Sequence, residues 1–273
     1  MNQFYKYQGA GNDFIIMDDR KGVFSLNNSA LVKKLCDRKF GIGADGFMLL
    51  RAHVAYDFEM VYFNADGKEG SMCGNGGRCI VAFAHRLGLF TDRTVFLAVD
   101  GPHSASLSVG QAGPYSENPC PNTVSIKLQM NDVSSIQSSD EDFILNTGSP
   151  HFVREVEQLS LYPVYTEGKR IRYHAQFEPG GVNVNFVEEN PHGGYAIRTY
   201  ERGVENETLA CGTGATAAAM AMAERQGLEG EQRIPVKALG GDLVIHFNKN
   251  GQRFTDVYLE GPATYVFEGV IKF

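Results

Sequence analysis

Most apolar residues of the chain stand in short runs separated by glycine-rich turns, a pattern that is typical of β-strands. In the first half, such runs predict strands over residues 14–17, 47–51, 58–63, 94–99, 104–109 and 123–129. In the second half, they predict strands over 143–145, 195–200, 234–238, 242–247 and 255–259. The proline-rich segment 111–122 interrupts the strands and is expected to be a surface hairpin insertion.

Three segments have helical patterns instead. Residues 29–38 place Leu31, Val32 and Leu35 on one face, and Asn28 or Ser29 can cap the start of this helix. A second helix is predicted from Cys73 to about Gly88, with one apolar face. The third helix, over 214–226, is apolar on every side, so we expect it to be surrounded by other structure.

The order of these elements occurs twice. Each half has a glycine-rich turn, a strand, a cysteine loop, an apolar helix and further strands. This repeat predicts an α/β (α+β) fold with two domains, residues 1–129 plus 261–273 and residues 130–260. Each domain is expected to be a curled, mainly antiparallel β-sheet or barrel around a central helix, the two being related by a pseudo-twofold axis. Residues 263–273 are expected to return to the first domain as a strand.

A cysteine stands at the predicted start of both central helices. Cys73 is followed by glycine at three of the next four positions, and Cys211 is followed by Gly212, Thr213 and Gly214. A helix N-terminus carries unpaired N–H groups and a partial positive charge, which hold anions and favour a thiolate. The repeated placement therefore favours two reactive thiols over two inert buried cysteines.

Composition narrows the classes of function. The chain has 273 residues, 43% apolar and 21% charged, and its net charge of −7 argues against nucleic acid as a partner. No signal peptide or membrane-spanning run is found in the sequence, so we expect a cytoplasmic protein.

An odd number of cysteines, five, indicates free thiols in a reducing compartment. Cys36, Cys79 and Cys120 are expected to be inert, and the cysteine spacing is poor for zinc.

Five motifs resemble those of the diaminopimelate epimerase family. They are Gly-Ala-Gly-Asn-Asp-Phe at 9–14, Asn-Ala-Asp-Gly at 64–67, Cys-Gly-Asn-Gly-Gly-Arg at 73–78, Glu-Arg-Gly at 201–203 and Ala-Cys-Gly-Thr-Gly at 210–214. The resemblance implies a cofactor-independent amino-acid epimerase of lysine and cell-wall biosynthesis, with two domains that close over diaminopimelate. The sequence departs from the commonest family pattern at Gly46, where many members have glutamine, and at Ser149, where asparagine is usual.

The resemblance also implies the roles of individual residues. Cys73 and Cys211 would be the two acid–base thiols. Asn64, Asn183 and Arg202 would hold the distal carboxylate of the substrate, with Glu201 near an amino group and Asn12 lining the same cleft. Ser149 and His151 are further candidates for binding the substrate.

The chemistry fits two thiols. Inverting an α-carbon requires a base on one face and an acid on the other, and a cysteine pKa of about 8.5 can be brought near working pH by a helix N-terminus. We expect the backbone N–H groups of Gly74, Asn75, Gly212 and Thr213 to stabilise the charge that develops on the α-carboxylate. In the resting enzyme, one cysteine would be a thiolate and the other a thiol.

Structural roles are the simpler alternative for several of these residues. Arg202 could form a surface ion pair with Glu201 or Glu205, Asn64 and Asn183 could be turn residues, and His151 could be a loop histidine with satisfied hydrogen bonds. The other histidines show no metal-binding spacing, and no lysine is placed as expected for a pyridoxal enzyme, so neither a metal nor a cofactor is expected.

Three other functions are consistent with parts of the sequence. A proline or hydroxyproline racemase would use the same chemistry on a substrate that has no distal carboxylate. A thiol redox protein would use the same two cysteines, although a Cys-x-x-Cys motif is missing. A non-catalytic amino-acid-binding protein is the third. A homodimer is left open as the state of assembly.

Overall fold

The computed structural model describes residues 2–70, 72–108, 122–139 and 141–272. Within these residues, the fold is α+β and mostly strand. The strands are β1 (Asn2–Gly9), β2 (Asn12–Asp18), β3 (Gly46–Arg51), β4 (Phe58–Asn64), β5 (Arg93–Ala98), β6 (Gly101–Ser108), β7 (Thr123–Gln129), β8 (Gln137–Ser139), β9 (Asp142–Asn146), β10 (Pro150–Glu155), β11 (Asn183–Glu189), β12 (Tyr195–Glu201), β13 (Asn206–Thr208), β14 (Gly230–Ala238), β15 (Gly241–Asn250) and β16 (Arg253–Ile271). The helices are α1 (Ser29–Cys36), α2 (Gly74–Arg86), α3 (Val164–Arg172) and α4 (Gly212–Arg225).

The chain divides into two compact units. Of the described residues, 2–108, 122–128 and 261–272 form the first unit, which contains a closed ring of eight strands. The ring runs from β1 through β7 in chain order, and the end of β16 pairs with both β7 and β1 to close it. Only the β2–β3 and β4–β5 pairs are parallel. Closure leaves this sheet without a free edge.

Of the described residues, 129–139 and 141–260 form the second unit, which repeats the pairing order of the first. From β9 to the start of β16, the successive pairs are antiparallel, parallel, antiparallel, parallel, antiparallel and antiparallel, as they are from β1 to β7. The helices α1 and α3 also occupy equivalent positions in this order, as do α2 and α4. The predicted duplication of the fold is therefore confirmed at the level of strand order and direction.

Each unit contains one buried helix. In α2 every residue from Gly74 to Ala84 is buried, and the helix packs against β1, β2 and β3. In α4 the buried residues run from Gly212 to Ala223 with the exception of Thr213, and the helix packs against strands β9 to β12, β14 and β15. The prediction that the third apolar helix is surrounded by structure is confirmed.

The ends of several elements also follow from the sequence. Asn28 caps α1 by accepting a hydrogen bond from the backbone N–H of Leu31, although α1 ends at Cys36 instead of Arg38. Residues after Gly261 continue β16, and Thr264 to Ile271 pair with β1, as expected for a strand that returns to the first unit. No helix of the described residues is long and apolar enough to cross a membrane.

Other elements differ from prediction. The glycine-rich turn of the second half, which the sequence places at 146–153, is mostly strand, because β9 ends at Asn146 and β10 begins at Pro150. The helix α3 was not among the predicted elements. The structure does not describe residues 109–121. The predicted insertion over 111–122 therefore lies outside the described residues except for Asn122, and so do Cys120 and the last residue of the strand predicted over 104–109.

Enlarging a side chain inside α4 should destabilise the second unit. Ala218 is fully buried, so Ala218→Leu forces its neighbours apart and should lower the free energy of unfolding by about 1–3 kcal/mol. Urea unfolding followed by circular dichroism measures the loss. The same substitution at the exposed Ala52 is the matched control, with an effect within about 0.5 kcal/mol. Equal effects at the two positions would contradict the tight packing of α4.

Candidate active site

Cys73 stands at the N-cap of α2, where the sequence predicted it. Its backbone is extended, with φ −108° and ψ 125°, and its carbonyl accepts the first helical hydrogen bond from Gly77 N at 2.7 Å. The thiol is half-buried, and its Sγ lies 3.8 Å from Asn12 Oδ1. Gly74 and Asn75 follow as the first two helical residues, so their N–H groups point out of the helix beside the thiol. The structure thus brings Cys73, Asn12, Gly74 and Asn75 together.

A network of charged residues holds Asn12 in place. Asn12 Nδ2 donates to Asp45 Oδ2 at 2.6 Å, and Arg38 bridges Asp45 and Asp13 with contacts of 2.7 Å. Lys6 binds Asp13 at 2.7 Å and also donates to the carbonyl of Gly43. Burial would raise the pKa of Asp13, but hydrogen bonds from Arg38 and Lys6 hold it well below its usual value. No local pattern in the sequence predicts this network, because its members come from separate segments.

Asn64 lies at the end of β4 with an exposed side chain. Its carbonyl accepts from Gly67 N and its N–H donates to Lys68 O, both at 2.9 Å, so its backbone forms the turn that the simpler alternative predicts. Gly46 pairs with Asn64 across β3 and β4, and packing explains why this position is glycine. A Cβ at position 46 would lie 2.4 Å from Cε2 of Tyr62, so the tyrosine ring occupies the space that a side chain at that position would need.

In the second unit, Cys211 has the equivalent place at the N-cap of α4. Its backbone is extended, with φ −121° and ψ 113°, and its carbonyl accepts from Ala215 N at 2.9 Å. The half-buried Sγ lies 3.4 Å from Thr213 Oγ1. Thr147, a residue not predicted to contribute, donates from its hydroxyl to Thr213 O at 2.8 Å. This bond ties the loop that carries Ser149 to the start of α4.

His151 is fully buried at the start of β10 and hydrogen-bonded on both ring nitrogens. Asn185 Nδ2 lies 3.1 Å from Nδ1, and this amide is oriented by Thr199, which donates to its oxygen, and by the Phe152 carbonyl, which accepts from its nitrogen. Nδ1 is therefore an acceptor, and the proton on Nε2 is donated to Ser149 Oγ at 3.1 Å. Burial, reinforced by the charge of Arg202, lowers the pKa of His151 to about 3. The ring is thus neutral at physiological pH.

Asn183 connects Ser149 with the loop of Arg202. Its Nδ2 donates to Ser149 Oγ at 2.9 Å, and its Oδ1 accepts from Arg202 N at 2.8 Å. Since Ser149 Oγ accepts from both Asn183 and His151, its own hydrogen remains available as a donor. Ser149, His151, Asn183 and Arg202 therefore form one hydrogen-bonded group, next to Glu201 at the end of β12.

The ion pair considered for Arg202 is not found among the described residues. Its guanidinium donates to Gly180 O at 3.4 Å, whereas Glu205 is bound by Arg172 at 3.1 Å and by the Tyr173 hydroxyl at 2.9 Å. The Arg202 side chain is only partly buried. Its charge is thus not neutralised by a neighbouring carboxylate in the described chain.

Residues that could hold a metal ion are not clustered. Within residues 2–70, 72–108, 122–139 and 141–272, no group of three or more histidine, cysteine or acidic side chains is placed to ligate one. Cys36, Cys73, Cys79 and Cys211 are not joined in disulfides. Burial raises the pKa of both Cys36 and Cys79 to about 12, which makes these two thiols unreactive at neutral pH.

Comparison with solved structures defines the class of fold. A phenazine biosynthesis protein of the PhzF family from Bacillus anthracis superposes with a TM-score of 0.76 at 15% identity, over 100% of this chain and 99% of that chain. A probable proline racemase from Agrobacterium radiobacter gives a TM-score of 0.69 at 14% identity, over 100% and 93%. At these identities the likeness shows the fold alone, and the chain has the fold that these proteins share.

Sequence comparison then gives the family. The family model described as diaminopimelate epimerase matches residues 4–103 and 143–266. A diaminopimelate epimerase from Flavobacterium psychrophilum is 47% identical over 98% of this chain and 100% of its own length. The one from Chlorobaculum tepidum is 42% identical over 96% and 98%. The chain belongs to the diaminopimelate epimerase family and is an isomerase.

The buried neutral histidine makes stability depend on pH. The pKa of His151 is about 3 in the folded state and ordinarily about 6.5. Between these two pH values the unfolded chain therefore binds a proton at His151 that the folded chain does not bind. Stability should therefore fall as pH falls from about 6.5 towards 3, by up to about 1.4 kcal/mol per pH unit from this residue. In His151→Gln this contribution is lost, so the variant's free energy of unfolding should fall less steeply with decreasing pH.

Urea unfolding of both proteins at pH 7, 6, 5 and 4 gives the difference in slope. His192→Gln, at an exposed histidine, controls for the loss of an imidazole. Parallel slopes for the parent and His151→Gln would contradict the neutral, buried state of His151.

Proposed function

We propose that this enzyme converts LL-2,6-diaminopimelate to meso-diaminopimelate without a cofactor, and that Cys73 and Cys211 carry the protons. The observation that carries the proposal is the repeated placement of a half-buried cysteine at the N-cap of a buried helix. A helix start supplies N–H donors and a partial positive charge, the two features that a thiolate base and an anionic substrate require. The family membership supports the choice of substrate.

The reaction is a proton exchange at one carbon. The thiolate of one cysteine takes the α-hydrogen as a proton, and the electron pair left on the α-carbon spreads onto the adjacent carboxylate. The thiol of the other cysteine gives its proton to the opposite face of the carbon, so that one thiolate and one thiol remain with their roles exchanged. We assign the N–H groups of Gly74, Asn75, Gly212 and Thr213 to the carboxylate, whose charge increases in the transition state.

The distal end of the substrate is assigned to Arg202, Asn183 and Asn64. The guanidinium of Arg202 has no carboxylate partner in the described chain, so it can bind a substrate carboxylate with two parallel hydrogen bonds. Ser149 is assigned a direct contact through its available hydroxyl hydrogen, and Glu201 and Asn12 are assigned to polar groups near the reacting carbon. His151, expected from the sequence to bind substrate, is assigned an indirect role, because both of its nitrogens are engaged and it acts through Ser149.

We place this activity in the synthesis of lysine and peptidoglycan precursors, in the cytoplasm. The free cysteines support a reducing compartment, since a thiol pair that exchanges protons must stay unoxidised.

Turnover in deuterated water tests the mechanism. LL-diaminopimelate should yield meso-diaminopimelate with deuterium at the inverted α-carbon, because the proton is delivered by a different thiol from the one that removed it. Cys73→Ala and Cys211→Ala should each lower kcat by about 10²–10⁴-fold or more, since the base and the acid are both required. Cys36→Ala, at a buried inert thiol, is the matched control and should retain turnover. Undiminished turnover in either of the first two variants would contradict the two-thiol mechanism.

A substitution at Arg202 tests the substrate. Arg202→Lys keeps the charge but loses the paired geometry, so it should raise KM for diaminopimelate by about tenfold or more. The fold shared with a proline racemase makes L-proline the informative second substrate. Turnover of proline with none of diaminopimelate would reject the assignment of the distal carboxylate to Arg202 and the substrate proposed here.

A further inference from the structure

A buried guanidinium that the mechanism has not used lies against the first turn of α2. Arg78 is fully buried, and its three hydrogen-bond acceptors are Gly74 O at 3.2 Å, Asn75 Oδ1 at 3.0 Å and Pro262 O at 3.4 Å. All three are neutral, and in the part of the chain that the structure describes no carboxylate pairs with Arg78. Burying a cation without a counterion is costly, so its retention requires an explanation.

The duplicated half of the molecule supplies a control. Arg78 follows Cys73 by five residues, and Thr216 follows Cys211 by five residues. Thr216 is also fully buried, and its hydroxyl donates to Gly212 O at 3.0 Å, the carbonyl equivalent to Gly74 O. A neutral threonine therefore makes the equivalent bond at the start of α4. A hydrogen bond to this carbonyl therefore does not require a charged side chain, so the positive charge of Arg78 needs a different explanation.

The charge acts on the same groups that we assign to catalysis. The carbonyl of Gly74 and the N–H of Asn75 belong to one peptide group, so a cation bound to the oxygen polarises the N–H that faces the α-carboxylate. A cation within the first turn also adds to the partial positive charge of the helix start, where Cys73 stands. Burial lowers the pKa of Arg78, and interaction with Cys79 and Cys73 opposes this effect.

We propose that Arg78 is the fixed positive charge that makes Cys73, rather than Cys211, the thiolate of the ligand-free protein. Arg78 is then a positioning residue that acts through Cys73 and the Asn75 amide. The consequence is that the first substrate accepted is the isomer whose α-hydrogen faces Cys73. The inference rests on the proposed function in so far as the two thiols are the acid and the base.

Other ionisable groups near α2 do not supply this charge. The helix packs against β1, β2 and β3. Lys6, Asp13, Arg38 and Asp45 form a cluster of two cations and two anions, and Arg51 pairs with Asp19 at 2.9 Å. Burial raises the pKa of Cys79 to about 12 and also raises that of Tyr7 above its usual value, so both are neutral at neutral pH. At the far end of α2, Arg86 pairs with Glu268. Among the described residues, Arg78 is therefore the cation at this end of the helix that has no carboxylate partner.

Alkylation of the two cysteines in the same sample tests the proposal. The full-length protein without substrate is treated with iodoacetamide between about pH 5.5 and 9, and the rates at Cys73 and Cys211 are read separately by peptide mass spectrometry. In the parent protein, the midpoint of the pH profile should be lower for Cys73 than for Cys211. In Arg78→Gln, which keeps hydrogen-bond donors without the charge, the Cys73 midpoint should rise by about one pH unit. Below both midpoints, the Cys73-to-Cys211 rate ratio should then fall about tenfold.

Two further variants separate charge from structure. Arg78→Lys keeps the charge and should retain most of the Cys73 advantage, whereas Thr216→Val, which removes the equivalent bond in α4, should leave the Cys73 midpoint unchanged. An unchanged Cys73 midpoint in Arg78→Gln with parent-like near-ultraviolet circular dichroism overturns the proposal. So does a parent protein in which Cys211 ionises at the lower pH, a result that needs no variant.

Failure of this inference is distinguishable from failure of the proposed function. An Arg78-dependent Cys73 midpoint in a protein that does not turn over diaminopimelate supports the inference and rejects the function. Turnover by a protein whose two cysteines have equal midpoints supports the function and rejects the inference.

Discussion

The complete burial of one helix in each unit is the constraint on which the rest of the structure depends. When every face of a helix is packed, the helix cannot slide or rotate without opening voids or forcing clashes, so the position of its first residue is fixed. In α2 and α4 that first turn is preceded by a cysteine and begins with glycine. The apolar packing that stabilises each unit therefore also sets the direction of the N–H groups and the position of the thiol.

Polar networks behind the two cysteines fix the side chains that packing alone would leave free. In the first unit, paired charges hold Asn12 close to Cys73. In the second unit, a chain of neutral groups from Asn185 through His151 to Ser149 directs one hydroxyl hydrogen outward. Hydrogen bonds within each network compensate much of its cost in desolvation and restrict the orientation of its side chains. Side chains near the cysteine are thus held by charged groups in the first unit and by neutral hydrogen bonds in the second.

The sequence predicted the elements whose signal is local. An apolar face at helical spacing predicted α2, and a segment apolar on every side predicted α4. The bounds of β7 agree with the predicted strand over 123–129. The helix α3 was missed because Gly168 at its centre normally weakens a helix. Here a Cβ at Gly168 would lie 2.4 Å from Cβ of Tyr200, so glycine lets the helix approach the sheet closely. The contacts of Arg38 with Asp13 and of Thr147 with Thr213 join residues far apart in the chain, and no local pattern encodes such pairs.

The strand β16 has a consequence for how the protein is made. The ring of the first unit is closed only when residues 264–271 pair with β1, and these residues are translated after the whole of the second unit. Domains generally fold from the N-terminus as they emerge during synthesis, at about 5–20 residues per second. The first unit emerges earlier, but β1 and β7 remain unpaired on one side until the end of β16 has been synthesised. During that interval the open sheet edge can pair with strands of other chains, and a chaperone bound to the nascent chain would protect this edge from aggregation.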